Sequence, residues 1–181
     1  MYEVELKFPL ADPAAFVGRL AACGASQGPA VSQADLYFNH PSRDFKETDE
    51  AFRIRTVDDR PCVTYKGPVV DSQTKTRREI EVALAGDQAR EKFAEILRLL
   101  GFRAVREVRK RRQTYFLVWQ GREFEIAVDE VQELGVFAEI ETLSDEPGRL
   151  AAVTAILSLV SQFQLPPPER QSYLSLLLAK G

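Results

Sequence analysis

The sequence has little of what several common kinds of active site require. Its 181 residues include a single histidine, His40, so neither a histidine-ligated zinc site nor a Ser-His-Asp triad is supported. Its two cysteines, Cys23 and Cys62, lack the spacing of a metal site and fit a reduced cytoplasm. Neither Gly-x-x-x-x-Gly-Lys nor Gly-x-Gly-x-x-Gly occurs, so any phosphate group would be held by side chains and not by a glycine-rich loop.

The chain also lacks the features of a membrane protein or a dedicated nucleic-acid binder. No apolar run approaches the roughly 18 residues of a membrane span, and the N-terminus begins with a strand pattern and not with a signal peptide. The formal net charge of −3 argues against general binding to nucleic acid or anionic membranes. We therefore expect a cytoplasmic protein in which a local cluster of cations provides any anion recognition.

What the sequence does contain is a series of strands with one apolar and one charged face. Side chains alternate between the two faces of a strand. In the first strand the apolar face consists of Tyr2, Val4, Leu6 and Phe8. Its charged face consists of Glu3, Glu5 and Lys7. One such strand is typical of a sheet with one face in water, but later strands repeat the pattern, and Glu139 and Glu141 form a matching pair near the other end of the chain.

The same alternation predicts about eight strands, with helices between and after them. The predicted strands cover residues 2–8, 33–38, 51–57, 62–66, 77–84, 102–119, 124–129 and 136–143. Helices are predicted from Asp12-Pro13 to Gly24, from Asp87 to Gly101, after Ser144-Asp145-Glu146-Pro147, and in a short segment after Pro168. Residues 42–50 are predicted to form a polar loop, and residues 1–181 a single domain.

Short turns between successive strands predict a largely antiparallel sheet. Eight antiparallel strands that are apolar on one face and charged on the other suit a closed barrel of the α+β class. Its helices would pack outside on the apolar faces, and the charged faces would line the lumen.

Carboxylates at this density need compensation. Glu3 and Glu5 face the same way about 7 Å apart, and at an effective dielectric constant near 20 two carboxylates at that distance repel by about 2 kcal/mol. Glu139, Glu141 and a nearby Asp129 add to the repulsion. Protonation, pairing with lysine and arginine, or a divalent cation would relieve it. Carboxylate ligation without histidine or cysteine favours Mg²⁺ or Mn²⁺ over zinc.

The cations follow the strands equally regularly. They are Lys7, Arg53, Arg55, Lys66, either Arg77 or Arg78, Lys110 and Arg112. In one interpretation they only neutralise the carboxylates. In the other, a metal ion neutralises the carboxylates and the cations are left to hold a polyphosphate and stabilise its charge during transfer. The pattern alone leaves both interpretations open.

These residues belong to an ordered set of motifs that resembles the CYTH superfamily, which includes class IV adenylyl cyclases and thiamine triphosphatases. The set begins with Glu3-x-Glu5-x-Lys7, similar to the ExExK signature of that family. It continues with Asp35-Leu36-Tyr37-Phe38, Arg53-Ile54-Arg55, Thr64-Tyr65-Lys66-Gly67-Pro68, residues 75–81, residues 110–115, residues 129–141 and Gln171-Ser172-Tyr173-Leu174. The stretch at 129–141 and Ser172-Tyr173 look most like the class IV adenylyl cyclase branch.

The resemblance implies a tunnel of eight antiparallel strands that binds a triphosphate, and it implies roles for individual residues. The metal ligands would be Glu3, Glu5, Asp129, Glu139 and Glu141, and the ion would be Mg²⁺ or Mn²⁺. The triphosphate would be held by Lys7, Arg53, Arg55, Lys66, Lys110 and Arg112. Further tunnel-lining residues would be Lys75, Arg77, Glu79 and Glu81, and the catalytic residues Lys7, Glu5 and Glu139.

Two reactions share this machinery in the family. A cyclase directs the ribose 3′-hydroxyl of ATP at the α-phosphorus and releases pyrophosphate. A triphosphatase directs water at the terminal phosphorus of inorganic triphosphate, thiamine triphosphate or a nucleotide. The motifs favour the cyclase branch without separating the two reactions, and a non-catalytic binder of polyphosphate or nucleotide remains a further alternative. The leucine-rich tail from Tyr173 to Leu178 is expected to pack as a helix outside the barrel, with a homodimer interface as the other possibility.

Overall fold

The structure, a computed structural model, describes residues 2–69 and 76–180. The strands are β1 (Tyr2–Pro9), β2 (Ser26–Asn39), β3 (Ala51–Val57), β4 (Arg60–Lys66), β5 (Arg77–Ala83), β6 (Arg103–Trp119), β7 (Arg122–Val131) and β8 (Gly135–Ser144). The helices are α1 (Pro13–Ala22), α2 (Phe45–Thr48), α3 (Ala89–Leu99), α4 (Arg149–Gln162) and α5 (Tyr173–Ala179). Within these ranges, no helix has the length and apolar character needed to cross a bilayer.

All eight strands join one closed barrel in the order β1-β5-β4-β3-β2-β6-β7-β8, and β8 pairs with β1 to complete the ring. Every neighbouring pair is antiparallel. The predicted α+β fold with a closed antiparallel barrel and external helices is therefore confirmed. Closure means that each strand has hydrogen-bonded neighbours on both sides, so one face of every strand must point into the lumen.

The largest part of the core lies outside the barrel, between β1, β6, β7 and β8 and the helices α1 and α4. The apolar face of β1 contributes Val4, Leu6 and Phe8, all buried. The helices supply Phe16 and Phe163, whose rings meet edge to face with centroids 5.6 Å apart. This packing turns the apolar face of β1 outward and consequently turns Glu3, Glu5 and Lys7 into the lumen, as the alternation predicts.

Two smaller apolar clusters complete the packing. On the outside of β2 and β3, Phe38 and Ile54 pack against Ala94 and Leu97 of α3. The second cluster lies at one end of the barrel, where α5 packs its Tyr173 and Leu177 against residues of the strands. Those strand residues are Tyr37, Val108, Val131 and Phe137. The C-terminal helix therefore covers one end of the lumen, a location that its sequence pattern alone does not specify.

Two elements differ from their predicted extent. Strand β2 begins at Ser26 and not at residue 33, because its first half pairs with the far end of β6, with an irregularity in register between Gln27 and Ala30 that hides the alternation. The predicted polar loop at 42–50 contains α2, one helical turn that starts where the Asp44 side chain accepts a hydrogen bond from the Lys46 N–H. A turn with a single buried residue, Phe45, is too short to show a helical period.

We predict that Ile140→Ala lowers the free energy of unfolding by about 2–5 kcal/mol, because Ile140 is fully buried at the centre of the large core. Urea denaturation followed by circular dichroism measures the change. The matched control is Ile80→Ala on β5, where the side chain is 43% exposed and a much smaller loss is expected. Equal losses in the two variants would contradict the described packing.

Candidate active site

The lumen of the barrel is a cavity of about 1060 Å³ that brings most of the predicted site residues together. Its wall includes Glu3, Glu5, Lys7, Arg53, Arg55, Lys66, Arg77, Glu79, Glu81, Lys110, Arg112, Glu139 and Glu141. Asp129 is fully buried in the wall of the barrel. Lys75, the remaining predicted residue, lies outside the described residues. Residues dispersed over six strands are therefore neighbours because the barrel is closed.

Three carboxylates from β1 and β8 form an acidic cluster. It consists of Glu3, Glu5 and Glu141, and each offers an oxygen atom within 4.8 Å of the other two. The register explains the contact, because Glu5 lies directly opposite Glu141 in the antiparallel β1–β8 pair. Glu3 lies two residues before Glu5 on the same face of β1. The acidic cluster contains three of the five carboxylates that the resemblance assigns to metal binding.

The crowding in the acidic cluster changes the protonation of one member. Burial raises the pKa of Glu141 to about 8, and the charge of the neighbouring Glu3 also raises it, against the opposing effect of Lys66. A carboxyl group in this position carries a proton near neutral pH unless another cation compensates its charge. Three oxygen ligands at this separation, without histidine or cysteine, suit a hard divalent cation such as Mg²⁺ or Mn²⁺.

Lys66 of β4 compensates part of the acidic charge. Its Nζ lies 2.6 Å from Glu3 Oε2, 3.0 Å from Glu79 Oε2 and 3.9 Å from Glu5 Oε2. Burial by itself would lower the pKa of Lys66, but these carboxylates raise it overall, so the ammonium group stays charged. Lys66, predicted to bind a triphosphate, is here bound to the carboxylates.

A second group of charges, which we call the basic cluster, surrounds Asp129 on β7. It contains Lys110 and Arg112 of β6 together with Asp129 and Glu139. Arg112 binds Asp129 through two hydrogen bonds of 2.7 Å, and Lys110 Nζ donates to Asp129 Oδ2 at 2.7 Å. Arg112 also contacts Glu139. Burial alone would raise the pKa of Glu139, but Lys110 and Arg112 lower it well below its usual value.

Asp129 and Glu139 lie among the cations of the basic cluster and not in the acidic cluster. Both oxygens of Asp129 accept hydrogen bonds from cations, and Oδ2 also accepts one from Tyr173 Oη at 3.1 Å. The structure therefore brings three of the five predicted metal ligands together and holds these two among the cations. In this arrangement Asp129 orients Lys110 and Arg112 toward the lumen.

Asp35 of β2 has the same effect on the arginines of the adjacent strand β3. Arg55 Nε and Nη2 bind its two oxygens at 2.7 and 2.8 Å, and Arg53 Nη1 lies 3.2 Å from Oδ2. Burial would raise the pKa of Asp35, but Arg53 and Arg55 lower it overall, so the carboxylate stays ionised. Fork-to-fork pairing fixes the orientation of the guanidinium group of Arg55.

Lys7 lies at the end of the lumen that α5 covers. Its Nζ is 4.2 Å from the centre of the Tyr173 ring and donates a hydrogen bond to the carbonyl oxygen of Gln171. The backbone of Glu169 also donates to the carbonyl oxygen of Lys7 at 2.7 Å. The segment before α5 and the α5 tyrosine therefore position the lysine of the Glu-x-Glu-x-Lys motif.

Strand β5 resolves the question of which arginine faces the lumen. Arg77 is buried, lies opposite Glu3 and contacts Asp49, whereas Arg78 is exposed. Glu79 binds Lys66, and Glu81 accepts a hydrogen bond from Thr64 Oγ1 at 3.2 Å. The predicted tunnel-lining positions on the described part of β5 therefore face the cavity.

The predicted site residues did not include Asp35, Tyr173 or Gln33. The first two lie in motifs that carried the family resemblance, but a sequence does not show which carboxylate holds an arginine or which tyrosine covers a lumen. Gln33 lies two residues before Asp35 and hence on the same face of β2. Alternation was the signal that could have identified it.

Comparison with known proteins identifies the family. The model of the CYTH domain matches residues 1–173. The chain is 37% identical over 179 residues to "Putative adenylate cyclase MJ0240" of Methanocaldococcus jannaschii, covering 97% of this chain and 98% of that protein. It is 31% identical over 152 residues to "Adenylate cyclase CyaB" of Aeromonas hydrophila, covering 82% and 73% of the two chains. The chain belongs to the CYTH family.

A solved structure agrees with this assignment. The PH1819 protein from Pyrococcus horikoshii OT3 superposes with a TM-score of 0.86 at 38% sequence identity, and the match covers 99% of both chains. The fold is thus similar over nearly the whole chain to that of a protein whose sequence is also related.

We predict that Glu141→Gln stabilises the metal-free protein at high pH. The raised pKa means that folded Glu141 keeps its proton between its ordinary pKa of 4.5 and about 8, whereas the unfolded chain loses it. The contribution of Glu141 to stability is therefore fully present below the lower pKa and is lost as the pH rises through the higher one. Glutamine removes that loss.

Thermal unfolding in EDTA at about pH 5 and about pH 8.5 measures the effect, because the two values bracket the titration. The melting temperature of Glu141→Gln relative to the unsubstituted protein should rise from the lower to the higher pH. Glu130→Gln, an exposed residue on β7, is the matched control and should show no such trend. A difference in melting temperature between Glu141→Gln and the unsubstituted protein that does not change with pH would contradict the raised pKa of Glu141.

Proposed function

We propose that the protein is a divalent-metal-dependent enzyme that binds a triphosphate in its lumen, with the cyclase reaction, ATP to cyclic AMP and pyrophosphate, as its activity. The observation that carries the proposal is the separation of charge inside one cavity. The acidic cluster lies on β1 and β8, and cations held by Asp35 and Asp129 lie on β3 and β6. The names of the relatives from Methanocaldococcus and Aeromonas support adenylyl cyclase over the other reactions of the family.

The acidic cluster is the proposed metal site, with Glu3, Glu5 and Glu141 as ligands. Bound Mg²⁺ or Mn²⁺ would supply electrostatic stabilisation of the charge that develops on the phosphate oxygens. The fit rests on the oxygen separation within 4.8 Å and on the burial and carboxylate repulsion that together raise the pKa of Glu141. Of the two other predicted ligands, Asp129 is fully buried and we propose a positioning role for it, whereas Glu139 faces the same cavity and is a candidate base.

The cations of the lumen are the proposed triphosphate site. Arg53, Arg55, Lys110 and Arg112 are each buried or nearly so, and each is oriented by a carboxylate behind it. A guanidinium group held in this way offers its remaining N–H donors in a fixed direction, which suits the oxygen atoms of a phosphate. Preorganised donors need no rearrangement during the reaction, and the low dielectric of the lumen strengthens their effect.

Lys66 and Lys7 complete the proposed site. Lys66 binds the acidic cluster in this structure, and a metal ion in the cluster would leave its ammonium group available to a phosphate oxygen. Lys7 lies on the same face of β1 as Glu3 and Glu5. It is at the covered end of the lumen, close to the ring of Tyr173. These positions support a role for both lysines in contacting the triphosphate at different points along the tunnel.

In the proposed reaction the ribose 3′-oxygen forms a bond to the α-phosphorus while the bond from that phosphorus to the bridging oxygen of the β-phosphate breaks. Pyrophosphate leaves with the electron pair of the broken bond, and the 3′-hydroxyl proton goes to a base in the tunnel. By position the candidate bases are Glu5, Glu139 and Lys7. Glu139 is ionised, but Lys110 and Arg112 lower its pKa, so it can take the proton only as its contacts with these cations weaken, whereas Lys7 would first have to lose a proton.

We predict that the protein incubated with Mn²⁺ or Mg²⁺ converts ATP to cyclic AMP and pyrophosphate, and that EDTA abolishes the reaction. Parallel incubations with tripolyphosphate and thiamine triphosphate, resolved by ion-exchange chromatography, identify the products. Release of orthophosphate from any of these substrates, without cyclic AMP, would mean that the protein is a triphosphatase and not a cyclase. Binding that persists in EDTA without turnover of any substrate would contradict a metal-dependent enzyme.

The same assay tests the metal ligands. Glu5→Gln should lower kcat/KM for ATP by at least about 100-fold, because it removes a charge and a ligand from the acidic cluster while keeping the shape of the side chain. Glu130→Gln, exposed on the outside of β7, is the control and should retain full activity. Circular dichroism establishes that both variants are folded. Full activity of Glu5→Gln would reject the metal site.

A further inference from the structure

Gln33 is a buried neutral residue on the wall of the charged lumen. It lies on β2, is 9% exposed and lines the cavity. In the sheet it is opposite Val57 of β3 on one side and Lys110 of β6 on the other. Arg55 and Arg112 are its diagonal neighbours, each two residues along the adjoining strand on the same face. An amide group is thus placed among three of the cations that we assign to triphosphate binding.

The side-chain oxygen of Gln33 is a buried acceptor without a donor. Within residues 2–69 and 76–180, no group donates a hydrogen bond to Gln33 Oε1. Buried polar atoms are nearly always hydrogen-bonded in folded proteins, since leaving one unsatisfied costs free energy. Oε1 itself is enclosed, but Gln33 lines the lumen, so a turn of its side-chain amide toward the cavity would expose this acceptor to a donor on a bound ligand.

The surroundings of Gln33 indicate which part of a ligand that would be. Val31, two residues before it on β2, and Val57, opposite it on β3, also line the cavity. Gln33 therefore lies at the boundary between the cations and a short apolar stretch of the wall. Phosphate oxygens are acceptors when ionised and would be repelled by another acceptor, so the phosphates belong with the cations and not with Gln33 Oε1.

We propose that Gln33 is a specificity-determining residue, whose Oε1 accepts a hydrogen bond from an N–H or O–H group on the organic part of a nucleoside triphosphate, with Val31 and Val57 in apolar contact with that part. This proposal rests on the proposed triphosphate function and adds to it the discrimination between an organic and an inorganic triphosphate. A site built around a hydrogen bond rejects a ligand that lacks the partner group, because the buried acceptor is then left unsatisfied.

The test compares Gln33→Met with the unsubstituted protein. Methionine is similar in length and shape but offers no amide. Dissociation constants for ATP and tripolyphosphate are measured by calorimetry with Mg²⁺ present, and product analysis of each titration separates binding heat from reaction heat. Gln27→Met on the same strand, where the side chain is exposed, is the matched control.

The ratio of the affinity for ATP to that for tripolyphosphate should fall about tenfold in Gln33→Met, the loss expected for one hydrogen bond. The ratio in Gln27→Met should equal that of the unsubstituted protein. An unchanged ratio in Gln33→Met would overturn the proposal, since it would mean that Gln33 contacts water or only packs in the wall. An equal loss for both ligands would likewise overturn it by indicating a role in the phosphate site or in folding.

Analogues identify the donor. If the donor is a ribose hydroxyl, 2′-deoxy-ATP or 3′-deoxy-ATP binds the unsubstituted protein more weakly than ATP and shows no further loss in Gln33→Met. If the donor is the amino group of the base, inosine triphosphate binds the unsubstituted protein more weakly than ATP and shows no further loss in Gln33→Met. Binding of tripolyphosphate without binding of any nucleotide would overturn the role of Gln33 while leaving a triphosphate enzyme intact. Binding of neither class would reject the proposed function itself.

Discussion

The structure depends on the balance of charge inside a closed barrel. Closure encloses most of the charged side chains that point into the barrel, and isolated buried charges would be strongly unfavourable. Asp129 and Asp35 meet this constraint by binding two cations each, at distances of 2.7 to 3.2 Å. These ion pairs compensate the buried charges, and they also fix the directions in which the cations can bind a ligand.

The two signs of charge are not mixed evenly. Glu3, Glu5 and Glu141 repel one another on β1 and β8, and Lys66 bridges this acidic cluster to the rest of the lumen. A triphosphate with a divalent cation carries the complement of this pattern, with positive charge for the acidic cluster and negative charge for the arginines. Binding would relieve the repulsion in the acidic cluster and satisfy the preorganised donors of β3 and β6. This complementarity connects the fold to the proposed chemistry.

Much of this arrangement could be predicted from sequence, because a period of two assigns each strand residue to a face. The alternation around Glu3, Glu5 and Lys7 correctly predicted the inward and outward faces of β1, and the number of such strands indicated a barrel. Pairings across the lumen could not be predicted in this way, since they depend on register and on barrel closure. Asp129 illustrates the limit, because its sequence position next to the acidic motif does not show that it binds Lys110 and Arg112. The place of α5 over the lumen likewise depends on contacts of Tyr173 and Leu177 with four distant strands.

The central claim is that the acidic cluster holds a divalent metal while the cations of β3 and β6 hold a triphosphate. A crystal structure with Mn²⁺ and tripolyphosphate tests it directly, because the anomalous scattering of manganese locates the ion independently of the protein atoms. The account predicts an anomalous peak coordinated by Glu3, Glu5 and Glu141, and phosphate groups in contact with Arg53, Arg55, Lys110 and Arg112. Manganese bound away from the acidic cluster, or tripolyphosphate bound outside the lumen, would contradict it.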